Sequence, residues 1–284
     1  MHNYGYRNLS PLKEFLHNKT LNMKSSNMKL NNNRGTAILI PAYNEEKYIK
    51  EVIRGCFKYG LDIIIIDDGS TDNTMKAVKS ISAPRNLKLV PLKHTVNKGK
   101  GQSLKTGFSH VIKNNYSGVI TLDADGQHNT DEIKNFLRAI EKESPDLIIG
   151  DRLGNTRNMP FIRKATNIFT SWIISNIAGR KISDVQSGFR YISAKVLRNI
   201  KLETKNFDTE PEIVIKASWL GYNIKNIPIS TIYNKDFISY VNPVTDTIKF
   251  FKLVFNSYKW KRKLNKKSTS SIKKAGITHK KLQK

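Results

Sequence analysis

The chain has 284 residues, which fits one large α/β domain with appendages or two small domains, and one core is favoured. Its residues are 38% hydrophobic and 25% charged, a composition typical of a packed globular protein. Its 49 basic and 23 acidic residues give a net charge of +26, which favours polyanions such as nucleic acid, an anionic membrane surface or phosphorylated substrates. The single cysteine, Cys56, excludes an intrachain disulfide, and no run reaches the about 18 apolar residues of a membrane-spanning helix.

The two ends of the sequence differ in composition from its middle. Residues 1–34 are rich in Asn, Lys and Ser and lack a sustained hydrophobic period, so they are predicted to form a flexible polar and basic arm. Residues 261–284 are rich in Lys and Ser and are predicted to be a disordered basic tail. Between them, we expect one domain over residues 35–240 and an amphipathic helix over residues 241–260.

Strand and helix signals alternate through the predicted domain. Short apolar or β-branched runs predict strands at Thr36–Ile40, Asp62–Ile66, Leu87–Pro91, Gly118–Leu122 and Asp146–Gly150. Helical spacing predicts helices at Glu45–Tyr59, from about Thr71, at Gly101–Lys113 and at Asp131–Glu143. This alternation predicts a mostly parallel sheet with flanking helices, in which ligands bind at the carboxyl ends of the strands.

Two carboxylates follow the predicted strand Gly118–Leu122 at a spacing that suits a metal ion. Asp123 and Asp125 are separated by one small residue, and oxygen ligands of this kind bind Mg²⁺ or Mn²⁺. Gln127 could add a neutral oxygen, and substrate phosphates would complete the ligand set. Turn formation and helix capping are the alternative roles of this motif. His128 is expected to face solvent or to cap a helix rather than to bind the metal.

Polar turns also follow the first two predicted strands. The turn at residues 67–70 follows four consecutive isoleucines, and Asp68 could accept hydrogen bonds from a base edge or a ribose. Capping of the next helix is the alternative role of this turn. The turn at residues 41–45 offers the aromatic face of Tyr43 and the carboxylate of Glu45. Asp151 and Arg152 likewise follow the predicted strand Asp146–Gly150, and one site could contain all four strand ends.

Six motifs in this order carry a resemblance to a known family. They are Pro41-Ala-Tyr-Asn-Glu45, Asp67-Asp-Gly-Ser70, Asn97-Lys-Gly-Lys-Gly101, Asp123-Ala-Asp125, Gly150-Asp-Arg152 and Gln186-Ser-Gly-Phe-Arg190. Together they resemble family 2 glycosyltransferases, and within these the dolichol-phosphate mannosyltransferase branch, over roughly Thr36 to Phe251. The resemblance implies a GT-A fold and the inverting, metal-dependent transfer of one sugar from GDP-mannose or a UDP-sugar to a polyprenyl (dolichyl-type) phosphate.

By motif, the resemblance implies a nucleoside site beside a phosphate and metal site. The residues that would hold the nucleoside are Pro41, Tyr43, Glu45, Ile66 and Asp68. Asp123 and Ala124 would contact the ribose and phosphate region of the nucleotide sugar. Asp125 and Gln127 would bind Mg²⁺ or Mn²⁺, and the spacing of the motif adds Asp123 as a ligand.

Basic residues are implied for the negatively charged groups of both substrates. Arg152 would contact the diphosphate or the incoming phosphate, and Arg190 and Lys235 would add positive charge there. The implied catalytic residues are Asp125, Arg152 and Arg190. A lipid phosphate is already anionic at neutral pH, so a general base is not obligatory. Glu210 and Glu212 are candidates for a base or for a structural hydrogen-bond acceptor.

Three other functions compete with this interpretation. A glycosyltransferase with a soluble or glycan acceptor is the first, and the departure at residues 231–235, where some family members carry an Arg, leaves the sugar open. A sugar nucleotidyltransferase would carry a glycine-rich loop where this chain has residues 41–45. A nucleic-acid binder is supported only by the net charge and the lysine-rich tail, so nucleic acid is not an expected partner.

Two amphipathic stretches predict contact with an anionic membrane surface. Residues 160–179 place aromatic and aliphatic side chains among cations such as Arg163 and Lys164, and residues 247–260 lead into a basic cluster. Packing of the first stretch on the protein's own core is the alternative. We therefore expect a cytoplasmic enzyme that is peripheral on the cytoplasmic face of the membrane, in keeping with the lack of a signal-peptide-like apolar run.

Overall fold

The computed structural model of the chain describes residues 34–154, 159, 161–204, 208–232 and 250–263. The chain divides into two units, one spanning Asn33–Val254 and the other consisting of Met1–Asn32 together with Phe255–Lys284. The predicted arm as far as residue 33, the tail from residue 264, the start of the predicted C-terminal helix and Lys235 lie outside the described residues.

A seven-stranded sheet forms the centre of the larger unit. Its strands in chain order are β1 (Arg34–Ala42), β2 (Ile63–Asp67), β3 (Leu89–Lys93), β4 (Tyr116–Thr121), β5 (Leu147–Asp151), β6 (Arg190–Ser193) and β7 (Ile224–Pro228). Their spatial order is β3-β2-β1-β4-β6-β5-β7, and β6 alone among them runs antiparallel to its neighbours. The predicted mostly parallel sheet is confirmed.

Helices connect these strands along the chain. They are α1 (Ile49–Cys56), α2 (Thr74–Lys79), α3 (Lys100–Lys113), α4 (Ile133–Glu143), α5 (Phe161–Ala178), α6 (Ala194–Asn199), α7 (Thr209–Trp219) and α8 (residues 250–263). Single 3₁₀ turns occur at Phe57–Tyr59, Thr130–Glu132 and Arg152–Gly154. Apolar residues at helical spacing face the sheet, as in α1, where Ile49, Val52, Ile53 and Cys56 are buried.

The core lies on both faces of the sheet. All four isoleucines of β2 are fully buried, because a parallel strand in the middle of such a sheet is covered by helices on each side. The five predicted strands are all present, each shifted by no more than about two residues at its ends. The prediction did not include β6, which is only four residues long and begins with an arginine, or β7, which contains a lysine and an asparagine and ends in a proline.

Helix α8 ends the described chain. From residue 255 onward it buries Ser257 and Trp260 and exposes Phe255 and Tyr258. Across the described residues, no helix is both long enough and apolar enough to cross a membrane.

Candidate active site

The carboxyl ends of β1, β2 and β4 lie side by side in the sheet. Ala42 at the end of β1 is in register with Asp67 at the end of β2, and the Leu122 amide after β4 donates to the Leu39 carbonyl. The turns that follow the three strands therefore meet at one edge, as expected for a parallel sheet. Two pairs of aspartates stand there, Asp67 with Asp68 (the β2 aspartate pair) and Asp123 with Asp125 (the β4 aspartate pair).

The β2 aspartate pair is bonded into the protein. Asp68 is 3% exposed, and its Oδ1 contacts His94 Nδ1 at 2.6 Å and accepts from the Lys98 amide at 3.0 Å. Its Oδ2 accepts from the Gly99 amide at 2.7 Å. The loop before α3 is thereby fixed to the end of β2, so Asp68, expected to hold a nucleoside, is first a support for this loop.

Asp67 of the same pair has fewer donors, and its buried Oδ2 accepts no hydrogen bond. Its Oδ1 accepts from the Ser70 amide at 2.8 Å, and its Oδ2 lies 3.5 Å from Lys93 Nζ. Gly69 takes a φ of +75°, and a side chain there would meet the backbone of Val96 at 2.5 Å. The turn after β2 and the loop before α3 are therefore packed backbone against backbone.

Helix α3 begins with a lysine that reaches the β4 aspartate pair. The Nζ of Lys100 lies 2.6 Å from Asp123 Oδ1 and 3.3 Å from Glu210 Oε1 in the first turn of α7. Burial acts against the charge of this ammonium, but the two carboxylates outweigh it and raise the pKa of Lys100. One cation thus joins the end of β4 to the start of α7.

The surroundings of the β4 aspartate pair lower the pKa of one carboxyl group and raise the pKa of the other. Burial opposes ionisation of Asp123, yet the Lys100 ammonium and then His128 lower its pKa to about 2. Burial and the neighbouring Asp123 charge raise the pKa of Asp125. A divalent cation bound between these carboxylates would remove the repulsion that raises the Asp125 pKa. The pair therefore carries charge that its own surroundings do not fully neutralise.

The residues after the β4 aspartate pair face inward. Gln127 donates its amide to Asp125 Oδ1 at 3.0 Å, and its side-chain Nε2 is buried with no hydrogen-bond partner. His128 is only 6% exposed, stacks on Phe189 with ring centroids 5.4 Å apart, and has its Nε2 3.7 Å from Asp123 Oδ2. The expectation that His128 faces solvent or caps a helix is wrong, because the chain pairs there with Thr231 and turns the ring inward.

These residues suit a divalent cation that shares its coordination with substrate. Asp123 and Asp125 offer hard oxygen donors, and the side-chain carbonyl oxygen of Gln127, two residues further along the chain, could add a neutral one. Gly188 packs so closely that a Cβ there would lie 2.4 Å from Asp123 Oδ2, so the carboxylate has a defined place. Among the described residues, no group of three or more His, Cys, Asp or Glu side chains forms a complete metal site. Substrate oxygens would have to supply the remaining ligands.

The residues implied for the nucleoside line the ends of β1 and β2. Pro41 and Ile66 are buried within the sheet, and Ala124 is 3% exposed, so these three can present only backbone or a small apolar surface. Tyr43 and Glu45 are partly exposed in the turn after β1. The turn is held by hydrogen bonds to the segment after β2, since the Glu45 amide donates to Thr74 Oγ1 at 2.8 Å.

The charges of the β4 aspartate pair affect the pKa of Glu45. Burial, and after it the charges of Asp125 and Asp123, raise the pKa of Glu45 to about 7. The carboxyl groups on β1 and β4 therefore belong to one electrostatic site.

Arg152 lies at the end of β5 and is bound by an acidic residue that the sequence interpretation missed. Its Nε and Nη2 donate to the two carboxylate oxygens of Asp184 at 2.6 and 3.0 Å, and both side chains are buried. Such a two-point contact fixes the plane of the guanidinium. Asp184 stands two residues before the motif that begins at Gln186, so proximity to a motif was its only signal in the sequence.

Arg190 lies behind the site and is 1% exposed. Its three guanidinium nitrogens donate to backbone carbonyls, those of Ser187 at 2.7 Å, Glu210 at 3.0 Å and Val185 at 2.5 Å. It thereby joins the loop before β6 to the start of α7. This geometry indicates that Arg190 positions backbone, whereas the resemblance implies that it contacts phosphate.

The two candidate bases on α7 have different surroundings. Glu210 contacts Lys100, as described above, whereas Glu212 is fully buried and accepts from the Glu203 and Thr204 amides and from the Thr204 hydroxyl. Glu212 also forms a 2.5 Å contact with Lys216 Nζ. Glu212 therefore fits the role of a structural hydrogen-bond acceptor better than that of a base, because these donors occupy its carboxylate.

Comparison with known proteins connects this site to one family. Residues 37–203 match the sequence profile described as "Glycosyl transferase family 2". The "UDP-N-acetylglucosamine--dolichyl-phosphate N-acetylglucosaminyltransferase" of Methanococcus voltae is 35% identical over 215 residues, which are 70% of this chain and 86% of that protein. The "Polyprenol monophosphomannose synthase" of Mycolicibacterium smegmatis is 26% identical, over 69% of this chain and 76% of that one.

A solved structure shows the same fold. Glucosyl-3-phosphoglycerate synthase from Mycobacterium tuberculosis, crystallised with Mn²⁺, uridine diphosphate and glucosyl-3-phosphoglycerate, superposes with a TM-score of 0.60 and 16% identity. The match covers 91% of this chain and 85% of that one. At this identity the likeness concerns the fold, and it confirms the predicted GT-A architecture.

Proposed function

Because the chain belongs to glycosyl transferase family 2, we propose that this glycosyltransferase moves a single sugar from a nucleotide sugar to a polyprenyl phosphate. The observation that carries the proposal is the incompletely neutralised β4 aspartate pair at the same strand edge as the turns after β1 and β2. Relatives named for dolichyl-phosphate and polyprenol acceptors support the acceptor class, and relatives named for N-acetylglucosamine and for mannose leave the sugar open.

The donor would lie along the strand ends. Its nucleoside would contact the turn after β1, where Tyr43 and Glu45 are partly exposed. Asp123, Asp125 and Gln127 would hold Mg²⁺ or Mn²⁺, which supplies positive charge to the departing diphosphate. Arg152, with its plane fixed by Asp184, would lie against the diphosphate or the incoming phosphate. Lys235 would add positive charge at the same phosphate groups, as the family resemblance implies.

The acceptor needs no strong base from the protein. A phosphate monoester carries about 1.5 to 2 negative charges at neutral pH, so its oxygen is already nucleophilic. Glu210 is held by Lys100, and Arg190 fixes the backbone of the same residue. We propose that these groups orient the site and that Arg190 acts through backbone rather than on substrate.

Helix α5 offers a surface for the membrane that would contain such an acceptor. Its exposed side is apolar: Phe161 is 82% exposed, Trp172 63% and Phe169 53%. Its buried side is mixed, since the polar residues Asn167, Thr170 and Ser171 pack inward together with Ile174 and Ala178. Large aromatic side chains exposed along one helix are unusual on a soluble surface, and they suit a helix that lies in a membrane interface.

The buried side of α5 is bonded to the site. Ser171 Oγ accepts from the Val185 amide at 3.0 Å, and Val185 lies beside Asp184, the partner of Arg152. A membrane-bound α5 would therefore hold the loop that orients Arg152 close to lipid headgroups. We propose that the protein is peripheral on an anionic membrane and that cations near α5 and in the basic C-terminal region add to apolar insertion.

The activity can be tested with purified protein, polyprenyl phosphate in vesicles and a panel of labelled UDP- and GDP-sugars. Label that extracts into organic solvent, that requires Mg²⁺ or Mn²⁺ and that disappears with EDTA is the expected result. Label that remains in the water phase with glycan or small-molecule acceptors would instead identify a soluble acceptor. Full activity in excess EDTA would remove the metal from the proposal.

The membrane surface has its own test, co-sedimentation with neutral and anionic vesicles across a salt series. Exposed charges are screened over about 10 Å at 0.1 M salt, so binding to anionic vesicles should weaken with salt but persist through apolar contact. Replacing Phe169 and Trp172 with Ser should reduce the binding that persists at high salt, whereas Asn176→Ser on the same helix should not. Wild-type protein that stays in the supernatant with both vesicle types would contradict a lipid acceptor.

A further inference from the structure

Lys100 is shared between two carboxylates that belong to different parts of the site. Its Nζ is 2.6 Å from Asp123, a proposed metal ligand, and 3.3 Å from Glu210 on α7. The side chain of Lys100 is 18% exposed, that of Glu210 only 7%, and that of Asp123 25%. The three groups form a chain in which Asp123 is the most accessible member.

A divalent cation and the Lys100 ammonium would compete for the same carboxylate. Asp123 Oδ1 is already contacted by the ammonium, and a metal ligand must give its lone pairs to the metal. A mostly buried ammonium that loses its anion without replacement is strongly disfavoured. Glu210 already lies within ion-pair distance, so rotation about the terminal bonds of the lysine side chain is enough to transfer the contact.

Both ends of this transfer are fixed by backbone. Lys100 is the first residue of α3, and Asp68 holds the amide of the residue before it, Gly99. The backbone of Glu210 is held by Arg190, which donates to its carbonyl at 3.0 Å. The lysine side chain is therefore the element that can move between the two carboxylates.

We infer that Lys100 is a displaceable internal counter-ion, which neutralises Asp123 in the empty site and moves to Glu210 when a divalent cation binds. Glu210 is then a positioning residue, since it acts on the metal site through Lys100. This inference rests on the proposed metal site at Asp123 and Asp125. It gives Glu210 a role distinct from that of a general base.

The inference predicts how Mn²⁺ alone binds, measured by the electron paramagnetic resonance signal of free Mn²⁺ in a titration. Glu210→Gln should weaken Mn²⁺ binding by about fivefold or more, at the low end of coupling between sites, because residue 210 then no longer offers a carboxylate to the displaced Lys100 ammonium. Lys100→Gln should bind Mn²⁺ as tightly as the wild type or more tightly, because the competing cation is gone. In the Lys100→Gln background, Glu210→Gln should change affinity by less than about twofold, as for independent sites.

Glu203→Gln is the matched control. Glu203 lies at the same 3.3 Å from a lysine, but that lysine is Lys216, so Mn²⁺ affinity should stay at the wild-type value. Lys100→Met provides a second variant if Lys100→Gln fails to fold, and circular dichroism reports folding for each variant. Loss of Mn²⁺ binding in folded Lys100 variants would overturn the inference. An equal effect of Glu210→Gln with and without Lys100 would overturn it as well.

The two levels of the proposal fail differently. Wild-type protein that binds no Mn²⁺ would remove the metal site itself. Wild-type protein that binds Mn²⁺, with no coupling between Lys100 and Glu210, would leave the metal site standing and remove the displaceable counter-ion alone.

Discussion

The β2 and β4 aspartate pairs stand at the same edge of one sheet, on the two strands that flank β1, and yet have different surroundings. In the β2 pair, Asp68 accepts from two backbone amides and contacts His94, whereas Asp67 accepts from one amide and has its other oxygen 3.5 Å from a lysine; neither residue is more than 3% exposed. In the β4 pair, Asp123 shares a single lysine with Glu210, and the Asp125 pKa is raised by burial and by its neighbour. Residue type and position in the fold are alike, and the supply of donors differs.

The difference identifies which acidic turn builds the fold and which one awaits a ligand. A carboxylate that accepts several amide hydrogen bonds is satisfied and stabilises the backbone around it. A pair of carboxylates with too few donors stores repulsion that a bound cation relieves. The variants below break or sharpen this distinction.

Asp125→Asn should have the largest effect on activity. It removes one charge from the proposed metal site, and turnover should fall by about 100-fold or more while the fold survives. The thermal midpoint should stay equal or rise, because the variant also removes repulsion with Asp123. Sugar transfer and a melting curve on the same preparation measure both quantities. Asp146→Asn, at the opposite end of β5, is the control and should retain turnover; equal losses in the two variants would contradict the assignment.

Asp68→Ala should mainly lower the stability of the protein, whereas Asp125→Asn should mainly lower its activity. It removes the Asp68 acceptor of the Lys98 amide and one of the two acceptors of the Gly99 amide, so the free energy of unfolding should fall by about 1–3 kcal/mol. Nucleotide affinity should fall with it, since the loop before α3 loosens. Urea unfolding and calorimetry with a nucleoside diphosphate measure the two effects. Unchanged stability with weakened nucleotide binding would place Asp68 on the ligand instead of the loop.

Two glycine-to-alanine variants, each of which adds one carbon atom, test the β2 and β4 aspartate pairs separately. Gly69→Ala forces a Cβ against the Val96 backbone at a φ of +75°, so stability should fall by more than about 1 kcal/mol. Gly188→Ala instead pushes on the Asp123 carboxylate, a side chain that can give way. It should therefore lower transfer activity and Mn²⁺ affinity more than the melting temperature. If both variants lost mainly stability, or both lost mainly activity, the proposed difference between the two aspartate pairs would be contradicted.

The smallest expected effect is on pH dependence, through Glu45. Because its pKa is raised from 4.5 to about 7 in the folded protein, its contribution to stability is fully present below pH 4.5 and is lost as pH rises through about 7. Relative to Glu45→Gln, the wild type should therefore lose thermal stability as pH rises from about 4.5 to about 7. Mn²⁺ should shrink that loss, because it neutralises Asp123 and Asp125. If the melting temperatures of the wild type and Glu45→Gln changed with pH in parallel, the coupling of Glu45 to Asp123 and Asp125 would be contradicted.

The sequence predicted the strand ends well and the use of their side chains less well. The β2 strand was visible as four isoleucines before Asp67, and its end was placed within one residue. That Asp68 is occupied by the Lys98 and Gly99 amides depends on a loop 30 residues away, which no local pattern reveals. Arg190 shows the same gap, because its motif suggested phosphate while its short strand turns the guanidinium toward three carbonyls.

The order of the strands has a consequence for how copies of this chain behave when crowded on a surface. The two outer strands of the described sheet are β3 and β7, and an outer strand with free backbone groups can pair with a neighbour and start aggregation. Each of them carries a proline and a lysine, Pro91 with Lys93 in β3 and Pro228 with Lys225 in β7. Proline lacks the amide that such pairing requires, and like charges repel a second copy. The sheet thus carries its own protection against intermolecular strand pairing.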